Sequence, residues 1–206
     1  MIIFDFDGTI VDSLAQVVAV FNDMSEELHF KKIEPENLSE LRNLSSMEIF
    51  EKFKVSKWRL PFLLFKGRRK FKERIFEARL QPNMKEVIEE LSQSYKIGIL
   101  TSNSSKNVKL YLAKNGLDCF EFISESSLFG KSRAIKKIIK DFGCKSSDII
   151  YIGDETRDID AAKISGVISV AVSWGFNSME ILEKHEPDYL INSPVELLKI
   201  VQKINF

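Results

Sequence analysis

Acidic side chains occur at two places in the sequence where they directly follow a short apolar run. Asp5 and Asp7 follow the apolar start of the chain, and Asp154 and Asp158 follow a run that ends at Ile152. Carboxylate oxygens are hard ligands that suit Mg²⁺ when a substrate phosphate completes its coordination. A carboxylate can also form an aspartyl phosphate, or carry a proton to and from a reacting oxygen. These residues therefore predict a site for metal-assisted phosphoryl transfer.

Hydroxyl, amide and ammonium groups accompany other apolar runs. Thr101, Ser102 and Asn103 follow a further run, and Lys131 lies just before a predicted helix. The Thr101 hydroxyl and the Ser102 backbone amide can hold phosphoryl oxygens, and Lys131 can offset negative charge in the transition state. Thr101, Ser102, Asn103 and the turn residue Gly8 are the predicted phosphate-binding residues, and Lys131 is predicted to be catalytic.

Each acidic residue has a predicted role. Asp5 is the nucleophile and, with Asp154, a ligand of Mg²⁺. Asp7 lies two positions further on, where its carboxyl can protonate the leaving oxygen and later accept a proton from water. Because Asp7 must be protonated at one stage, we expect neighbouring negative charge to raise its pKa. Asp7 and Asp158 complete the predicted metal site, and Asp158 orients a metal-bound water or Lys131.

Short apolar runs predict the β-strands that position these residues. The segments between most of the runs have the 3.6-residue apolar period of amphipathic helices. Strands that alternate with helices predict an α/β fold in which a parallel sheet lies between two helix layers. The carboxyl ends of such strands form one edge, where open parallel sheets bind ligands. The predicted strands cover residues 1–4, 97–100, 120–123, 149–152, 168–172 and 189–191.

Residues 13–80 have only helical patterns and contain no strand candidate, so they predict an all-helical insertion after the first strand. Residues 1–12 and 81–206 then form the core domain. Within the insertion, the segment Ser45–Glu48 predicts a capping box at the start of a helix. We interpret the many Phe residues, together with Tyr111, as core residues.

The composition excludes several classes of function. The chain has 206 residues, with 30 basic and 30 acidic side chains. This balance argues against nucleic acid or an anionic membrane as a partner, because both favour an excess of positive charge. The start of the chain lacks the pattern of a signal peptide. Two cysteines without metal-site spacing suit a reducing cytoplasm. We expect a cytoplasmic protein, either a monomer or a weak homodimer.

The segment Asp5-Phe6-Asp7-Gly8-Thr9-Ile10-Val11-Asp12-Ser13 resembles the first motif of the haloacid dehalogenase-like hydrolases. Thr101, Lys131 and the segment Gly153–Asp158 match the second, third and fourth motifs in the same order. The resemblance implies a Rossmannoid three-layer core with sheet order 5-4-1-2-3 and a helical cap at residues 13–80. It also implies Mg²⁺-dependent phosphoryl transfer through an aspartyl phosphate. Within the superfamily, the chain is most similar to phosphatases of the phosphoglycolate phosphatase type.

Two other functions remain open at this stage. A phosphomutase of the β-phosphoglucomutase type has the same core and cap, and differs by excluding water from the aspartyl phosphate. A phosphate-sensing or partner-binding module belongs to a different class, although crowded carboxylates without a cation would make it costly. The phosphatase hypothesis, with a small phosphorylated metabolite as substrate, explains most of the motifs.

The predicted insertion contains two basic features with open roles. Arg42 lies between two predicted helices, where relatives place a specificity loop, and it can bind the anionic end of a substrate or face solvent. The basic segment Lys66–Lys72 predicts a solvated helix face or, alternatively, a rim that attracts anions.

Overall fold

The computed structural model describes residues 1–56 and 58–204 of the chain. The predicted ranges 13–80 and 81–206 include three positions outside that part, namely 57, 205 and 206. Among the described residues, none of the helices has both the length and the apolar character needed to cross a membrane.

The described residues form a parallel six-stranded sheet and a separate antiparallel pair of short strands. All six predicted strands are present, and the third begins at Phe122 rather than at Phe120. Numbered along the chain, the strands are β1 (Ile2–Phe4), β2 (Val11–Asp12), β3 (Arg79–Leu80), β4 (Ile97–Thr101), β5 (Phe122–Glu125), β6 (Ile150–Gly153), β7 (Ile168–Val172) and β8 (Tyr189–Ile191).

The strand order of the large sheet is β5-β4-β1-β6-β7-β8. The predicted order 5-4-1-2-3 counts only the strands of this sheet and corresponds to β7-β6-β1-β4-β5, so it is confirmed. β8 adds a sixth strand at the edge beside β7. From β1 the chain moves outward through β4 to β5, and then returns to β6 on the other side of β1. The direction of winding therefore reverses beside β1, which is where sheets of this kind place their ligand sites.

Ten α-helices connect or flank these strands in the described part of the chain. Three short 3-10 helices cover Pro35–Asn37, Ile75–Glu77 and Ser146–Asp148. The α-helices are α1 (Leu14–Leu28), α2 (Leu38–Leu41), α3 (Ser46–Lys52), α4 (Leu60–Arg74), α5 (Met84–Ser92), α6 (Ser105–Lys114), α7 (Lys131–Phe142), α8 (Thr156–Ser165), α9 (Met179–Lys184) and α10 (Glu196–Ile204).

The two faces of the sheet bury different hydrophobic clusters. Ile2 and Phe4 of β1 pack with residues of α5, α6 and α10, whereas Ile3 packs with residues of α7 and α8. This division follows from the pleat of a strand, in which successive side chains point to opposite faces. The predicted three-layer α/β architecture is confirmed.

Helices α1 to α4 lie between β2 and β3, and we call residues 14–77 the helical insert. The insert has a small hydrophobic cluster of its own, formed around Phe21, Ile33, Leu41 and Phe53. The prediction that residues 13–80 contain no strand was wrong, because β3 pairs antiparallel with β2 where the insert begins and ends. A strand of two residues is too short to produce an alternating pattern in the sequence.

The interpretation of the Phe residues as core was wrong at several positions. On α4, Leu63 and Phe71 are buried, whereas Phe62 and Phe65 are 55% and 69% exposed. Phe129 and Phe142 are exposed as well. Tyr111, by contrast, is buried as predicted, and its hydroxyl donates to a backbone carbonyl.

The predicted capping box at the start of α3 is confirmed. Ser45 accepts a hydrogen bond from the backbone N–H of Glu48, and the Glu48 side chain accepts from the backbone N–H of Ser45. Two orphan N–H groups of the helix end are thereby satisfied. The capping box therefore fixes the start of α3 at Ser46.

Candidate active site

Three strands deliver the predicted site residues to one edge of the sheet. Asp5 directly follows β1, Thr101 is the last residue of β4, and Asp154 directly follows β6. Because β4 and β6 both pair in parallel with β1, their carboxyl ends lie side by side. Lys131 begins α7 and reaches the same edge from a helix layer.

The carboxylates of Asp5, Asp154 and Asp158 form a buried cluster in which one oxygen from each lies within 4.8 Å of the others. All three residues are at most 2% exposed. Three acids at this separation repel one another when ionised, so the cluster favours a bound cation. A backbone N–H orients each carboxylate: Phe6 N donates to Asp5, Phe176 N to Asp154 and Glu155 N to Asp158, at 2.7, 2.7 and 3.0 Å.

Lys131 supplies a positive charge inside this cluster. Its Nζ donates to Asp5 Oδ2 at 2.5 Å and also to Asp158 Oδ1, and its side chain is 2% exposed. Burial lowers the pKa of Lys131, but the charges of Asp158 and Asp5 outweigh this effect and raise the pKa overall. The side chain is therefore a cation at neutral pH. Tyr151 adds a hydroxyl that donates to Asp158 at 3.2 Å.

Burial changes the acidity of the clustered carboxyl groups. It raises the pKa of Asp5 to about 6, although Lys131 opposes the change. It raises the pKa of Asp154 well above the usual value, and the negative charges of Glu155 and Asp5 act in the same direction. Without a metal ion, these groups therefore retain protons at pH values where an exposed aspartate is ionised.

Asp7 lies next to the cluster and has different partners. Its Oδ1 accepts a hydrogen bond from Ser13 at 3.0 Å, and its Oδ2 accepts from Asn103 at 3.3 Å. Burial and then the charge of Asp5 raise the pKa of Asp7 to about 7. The direction agrees with the sequence-based expectation, but burial is a larger cause than like charge. Its carboxylate is not one of the three that cluster, so its role in holding metal stays a prediction.

The predicted phosphate loop after β4 is held by local hydrogen bonds. Thr101 is fully buried, and its hydroxyl oxygen accepts from the backbone N–H of Asn103 at 2.9 Å. Ser102 Oγ accepts from Arg157 Nη1 at 3.1 Å. The structure thus brings Thr101, Ser102 and Asn103 to the edge that carries the carboxylate cluster. Gly8 approaches the same cluster from the loop after β1, against the Asp154 carboxylate.

Arg42, which follows α2, points toward the sheet edge instead of into solvent. Its Nη2 donates to the backbone carbonyls of Gly175 at 3.0 Å and Ser173 at 3.3 Å. Its Nε is buried and has no hydrogen-bond partner among the described residues. The guanidinium therefore bridges the insert and the loop after β7, and its contact with a substrate stays a prediction.

A cavity of about 690 Å³ lies between the helical insert and the sheet edge. The insert lines it mainly with apolar side chains such as Val17, Phe50 and Leu64, and Arg42 contributes a cation. Asp7 and Ser102 line it from the sheet edge. Its volume falls within the range of about 300–1,000 Å³ that is usual for small-molecule sites. The cavity can therefore hold the part of a substrate that is not phosphate.

The basic segment Lys66–Lys72 on α4 is largely used for internal contacts. Lys66 and Lys70 both pair with Glu27 of α1, and Arg68 donates to the carbonyl of Ser126 at 2.6 Å. Of the basic side chains in this segment, Arg68 lines the cavity. These pairings favour the interpretation of a helix face over that of a continuous anion-attracting rim.

Sequence reasoning assigned no role to several polar residues that the structure places at the site. Thr9 donates to Asp154 at 2.8 Å, and Ser13 donates to Asp7. Glu155 and Arg157 are largely buried and pair with each other beside Ser102. The sequence did contain a signal for this ion pair. Glu155 and Arg157 lie between Asp154 and Asp158, and they carry opposite charges two positions apart.

A family model described as haloacid dehalogenase-like hydrolase matches residues 2–172. The matched range begins at β1, contains the helical insert and ends with β7, so it includes the carboxylate cluster, Asp7, Lys131 and the loop after β4. The chain belongs to the haloacid dehalogenase-like hydrolase family. It is accordingly a hydrolase of the phosphatase type, which acts on phosphate esters.

Two curated relatives are similar over nearly their whole lengths. A phosphoglycolate phosphatase of Synechococcus elongatus is 35% identical over 206 residues, which cover 98% of this chain and 97% of the relative. A pyrophosphatase, PpaX, of Bacillus mycoides is 24% identical over 212 residues, which cover 99% of this chain and 97% of the relative. These two relatives thus carry names that refer to different phosphorylated substrates.

A solved structure of this family has the same architecture. A haloacid dehalogenase-like family hydrolase from Streptococcus pneumoniae superposes with a TM-score of 0.82 at 26% identity, and the match covers 97% of each chain. The core and the helical insert therefore occur together in another haloacid dehalogenase-like protein.

Proposed function

We propose that this protein is a Mg²⁺-dependent phosphatase that hydrolyses a small phosphorylated metabolite through an aspartyl-phosphate intermediate. The observation that carries the proposal is the buried cluster of Asp5, Asp154 and Asp158, with Lys131 inside it and a cavity beside it. An acidic cluster of this kind matches the oxygen ligands that Mg²⁺ takes together with a substrate phosphate.

The residues present fit a divalent cation. Asp5, Asp154 and Asp158 each direct an oxygen into a region 4.8 Å across. Burial raises the pKa values of Asp5 and Asp154, so a further positive charge would favour the ionised form of these two carboxyl groups. Asp5 and Asp154 are the proposed ligands of the cation. Asp158 is proposed to orient a metal-bound water or Lys131, and Asp7 is proposed to complete the metal site. When bound, the cation would neutralise charge on the phosphoryl group and favour the ionised form of Asp5.

The first proposed step is attack by a carboxylate oxygen of Asp5 on phosphorus. A new P–O bond to Asp5 forms while the ester P–O bond breaks, and the leaving oxygen takes a proton from Asp7. With a pKa of about 7, Asp7 is available in both protonation states near neutral pH. Lys131 stays hydrogen-bonded to Asp5 and offsets the charge that develops.

The second proposed step releases phosphate. Asp7, now ionised, takes a proton from a water molecule while the water oxygen attacks phosphorus. The P–O bond to Asp5 breaks, so inorganic phosphate leaves and the carboxylate of Asp5 is restored. Thr101, Ser102, Asn103 and the backbone at Gly8 hold the phosphoryl oxygens in both steps.

We propose that residues 13–80 act as a cap over a core formed by residues 1–12 and 81–206. The cap would close the cavity over the substrate and exclude bulk water. Arg42 is the proposed ligand for an anionic group at the far end of the substrate, since it lines the cavity and its Nε has no hydrogen-bond partner in the described part of the chain. A carboxylate on the substrate would accept hydrogen bonds from it.

The names of the relatives suggest which substrates to examine first. Phosphoglycolate is the first candidate, because it combines a phosphate ester with a carboxylate that Arg42 can bind and because the 35% identical relative is a phosphoglycolate phosphatase. Pyrophosphate is the second candidate, after the name of the Bacillus relative. We further propose that the enzyme is cytoplasmic and acts as a monomer or weak homodimer.

An assay of phosphate release tests the proposal. The substrates are phosphoglycolate, pyrophosphate and a generic aryl phosphate, each measured with Mg²⁺ and with a chelator. We expect turnover that requires Mg²⁺ and that falls by on the order of 10³-fold or more in Asp5→Asn. Turnover within about tenfold of wild type in Asp5→Asn, a barrier change below about 1.4 kcal/mol, would exclude Asp5 as the nucleophile. Transfer of the phosphoryl group to a sugar phosphate instead of water would identify a phosphomutase.

A further inference from the structure

A chain of hydrogen bonds runs from the helical insert to the loop after β4. Ser46, the first residue of α3, donates to Glu155 Oε1 at 2.8 Å. Glu155 Oε2 accepts from Arg157 through Nε at 2.8 Å and also through Nη2. Arg157 Nη1 in turn donates to Ser102 Oγ at 3.1 Å. We call these four residues the Ser46–Ser102 chain, and its ends are 56 positions apart in the sequence.

Arg157 connects the two segments that carry predicted phosphate-binding groups. Besides Ser102, its Nη1 contacts the backbone carbonyl of Leu128 at 2.9 Å, in the segment that leads to Lys131. The guanidinium is planar and rigid, so contacts in several directions fix the positions of its partners relative to one another. Its charge is balanced by Glu155, with which it forms an ion pair that is largely buried.

Ser46 makes this arrangement depend on where the insert lies. Glu155 uses one carboxylate oxygen for Arg157 and the other for Ser46, so docking of the insert completes the set of partners around Glu155. If the insert moved away, Glu155 Oε1 would lose its protein donor, and a charged group would be left to find water or a new partner. Glu155 and Arg157 would then have other arrangements available.

Other contacts hold the insert without involving this chain. The Asn43 side chain accepts a hydrogen bond from the Ser178 hydroxyl, and the Arg42 carbonyl accepts from Ser178 N at 2.8 Å. These contacts reach the loop after β7, on the opposite side of Asp154 from Ser102 in the sequence. Asn43 therefore provides a matched control. Its removal takes away one hydrogen bond between the insert and the core, whereas the Arg42 carbonyl still accepts from Ser178 N and from Asn177, so the insert stays docked and the Ser46–Ser102 chain stays in place.

We propose that Glu155 and Arg157 are positioning residues, which hold the Ser102 loop in its phosphate-binding arrangement only while Ser46 of the helical insert is docked. The inference rests on the proposed function, because it assigns the Ser102 loop to the phosphoryl group. In this proposal, the phosphate-binding residues are correctly placed only when the insert is docked and excludes water. Phosphoryl transfer from a substrate would then begin only after the insert has closed.

A double-mutant cycle with Ser46→Ala and Arg157→Lys tests the coupling. Ser46 and Arg157 act on each other only through Glu155 in the proposal, so their effects on kcat should be non-additive. We expect Ser46→Ala to lower kcat at least about fivefold in the wild type and less than about twofold in Arg157→Lys. Arg157→Lys alone should lower kcat by on the order of 10²-fold, through misplacement of the loop. Ser46→Thr, which keeps the hydroxyl, should restore kcat.

The control is Asn43→Ala, and its effect on kcat should multiply with that of Arg157→Lys. We expect Ser46→Ala to change kcat more than KM, because a misaligned Ser102 loop loses contacts that tighten in the transition state. Independent multiplication of the Ser46→Ala and Arg157→Lys effects would overturn the proposal. Equal unfolding midpoints of Ser46→Ala and Asn43→Ala would show that the comparison concerns positioning rather than folding.

Hydrogen exchange of the segment 101–104 gives a second readout that does not require turnover. We expect faster exchange in Ser46→Ala and Arg157→Lys than in the wild type, and no change in Asn43→Ala. If the wild type hydrolyses no phosphate ester, the proposed function fails while this comparison still decides the coupling. Exchange at the wild-type rate in Ser46→Ala would overturn the coupling even in an active phosphatase.

Discussion

Gly8 lies so close to Asp154 that a Cβ atom at position 8 would be 2.1 Å from Asp154 Oδ2. Its φ of +79° is also a conformation that residues with a side chain rarely adopt. The loop after β1 can therefore approach the carboxylate cluster only with glycine at this position. The backbone N–H of Gly8 donates to the Val11 carbonyl at 2.8 Å, so the loop is closed on itself where it contacts Asp154.

Gly8→Ala should displace the Asp154 carboxylate and impair the enzyme. Gly143→Ala is the matched control, because Gly143 also has a positive φ, of 63°, but nothing lies within 4 Å of an added Cβ. The control should cost roughly 1–2 kcal/mol of stability through the backbone alone. We expect Gly8→Ala to lose more stability and most of its phosphatase activity, measured by denaturant unfolding and phosphate release. Equal stability and activity in the two variants would show that Asp154 tolerates displacement.

Lys131→Met should destabilise the protein strongly in the presence of a chelator. Lys131 is buried between Asp5 and Asp158, so its loss leaves these carboxylates without a counter-charge, at a cost of about 3–5 kcal/mol. The control Lys137→Met removes an exposed pair with Asp141, which contributes less than about 1 kcal/mol. Urea unfolding measures both. A loss for Lys131→Met no greater than that of the control would contradict an ionised Lys131 in the cluster.

The positions of the site residues were predictable because they depend on strand order. A short buried run followed by Asp5, and another followed by Asp154, is sufficient to predict that both lie at one sheet edge. Thr101 follows from the same reasoning, whereas Lys131 was predicted from its place before a helix. Helix signals were equally local, as the capping box formed by Ser45 and Glu48 illustrates.

Contacts between distant segments were not predictable in this way. The hydrogen bond from Ser46 to Glu155 depends on how the insert rests on the core, and no local pattern encodes that geometry. The exposure of Phe62 and Phe65 was missed for a related reason, since residue type predicts burial only on average. Burial also outweighed like charge in raising the pKa of Asp7, because enclosure by the fold is a property of the whole molecule.

The metal-free protein should become less stable as the pH rises from 5 to 8. Asp5 and Asp7 have pKa values of about 6 and about 7 in the folded protein, against 3.8 for an aspartate in the unfolded chain. In this window the folded state holds more protons than the unfolded state, so stability falls with pH, by about 1.4 kcal/mol per unit for each extra proton.

Mg²⁺ should reverse most of this trend, because a bound cation favours the ionised carboxylates. Unfolding midpoints measured in EDTA and in saturating Mg²⁺ at several pH values check both statements. We expect the two curves to diverge as the pH increases. A metal-free stability that stays level or rises between pH 5 and pH 8 would show that Asp5 and Asp7 have ordinary acidities in the folded state.

Asp7→Asn should affect substrates according to how much their leaving group needs a proton. An alkyl phosphate has a strongly basic leaving oxygen, so loss of the acid should slow the first step by on the order of 10²–10⁴-fold. The leaving group of p-nitrophenyl phosphate departs without a proton, so the first step should remain fast. Hydrolysis of the aspartyl phosphate still needs a base, and this second step should be slow for both substrates.

Rapid mixing of Asp7→Asn with p-nitrophenyl phosphate should therefore give a burst of p-nitrophenol, of about one equivalent per enzyme, followed by slow turnover. Ser13→Ala provides a graded control, since Ser13 donates to Asp7 Oδ1 at 3.0 Å but carries no proton to the substrate. It should lower the rate modestly for both substrates and produce no burst. Equal losses of Asp7→Asn on alkyl and aryl phosphates, without a burst, would exclude Asp7 as the acid and leave it a structural role beside Asn103.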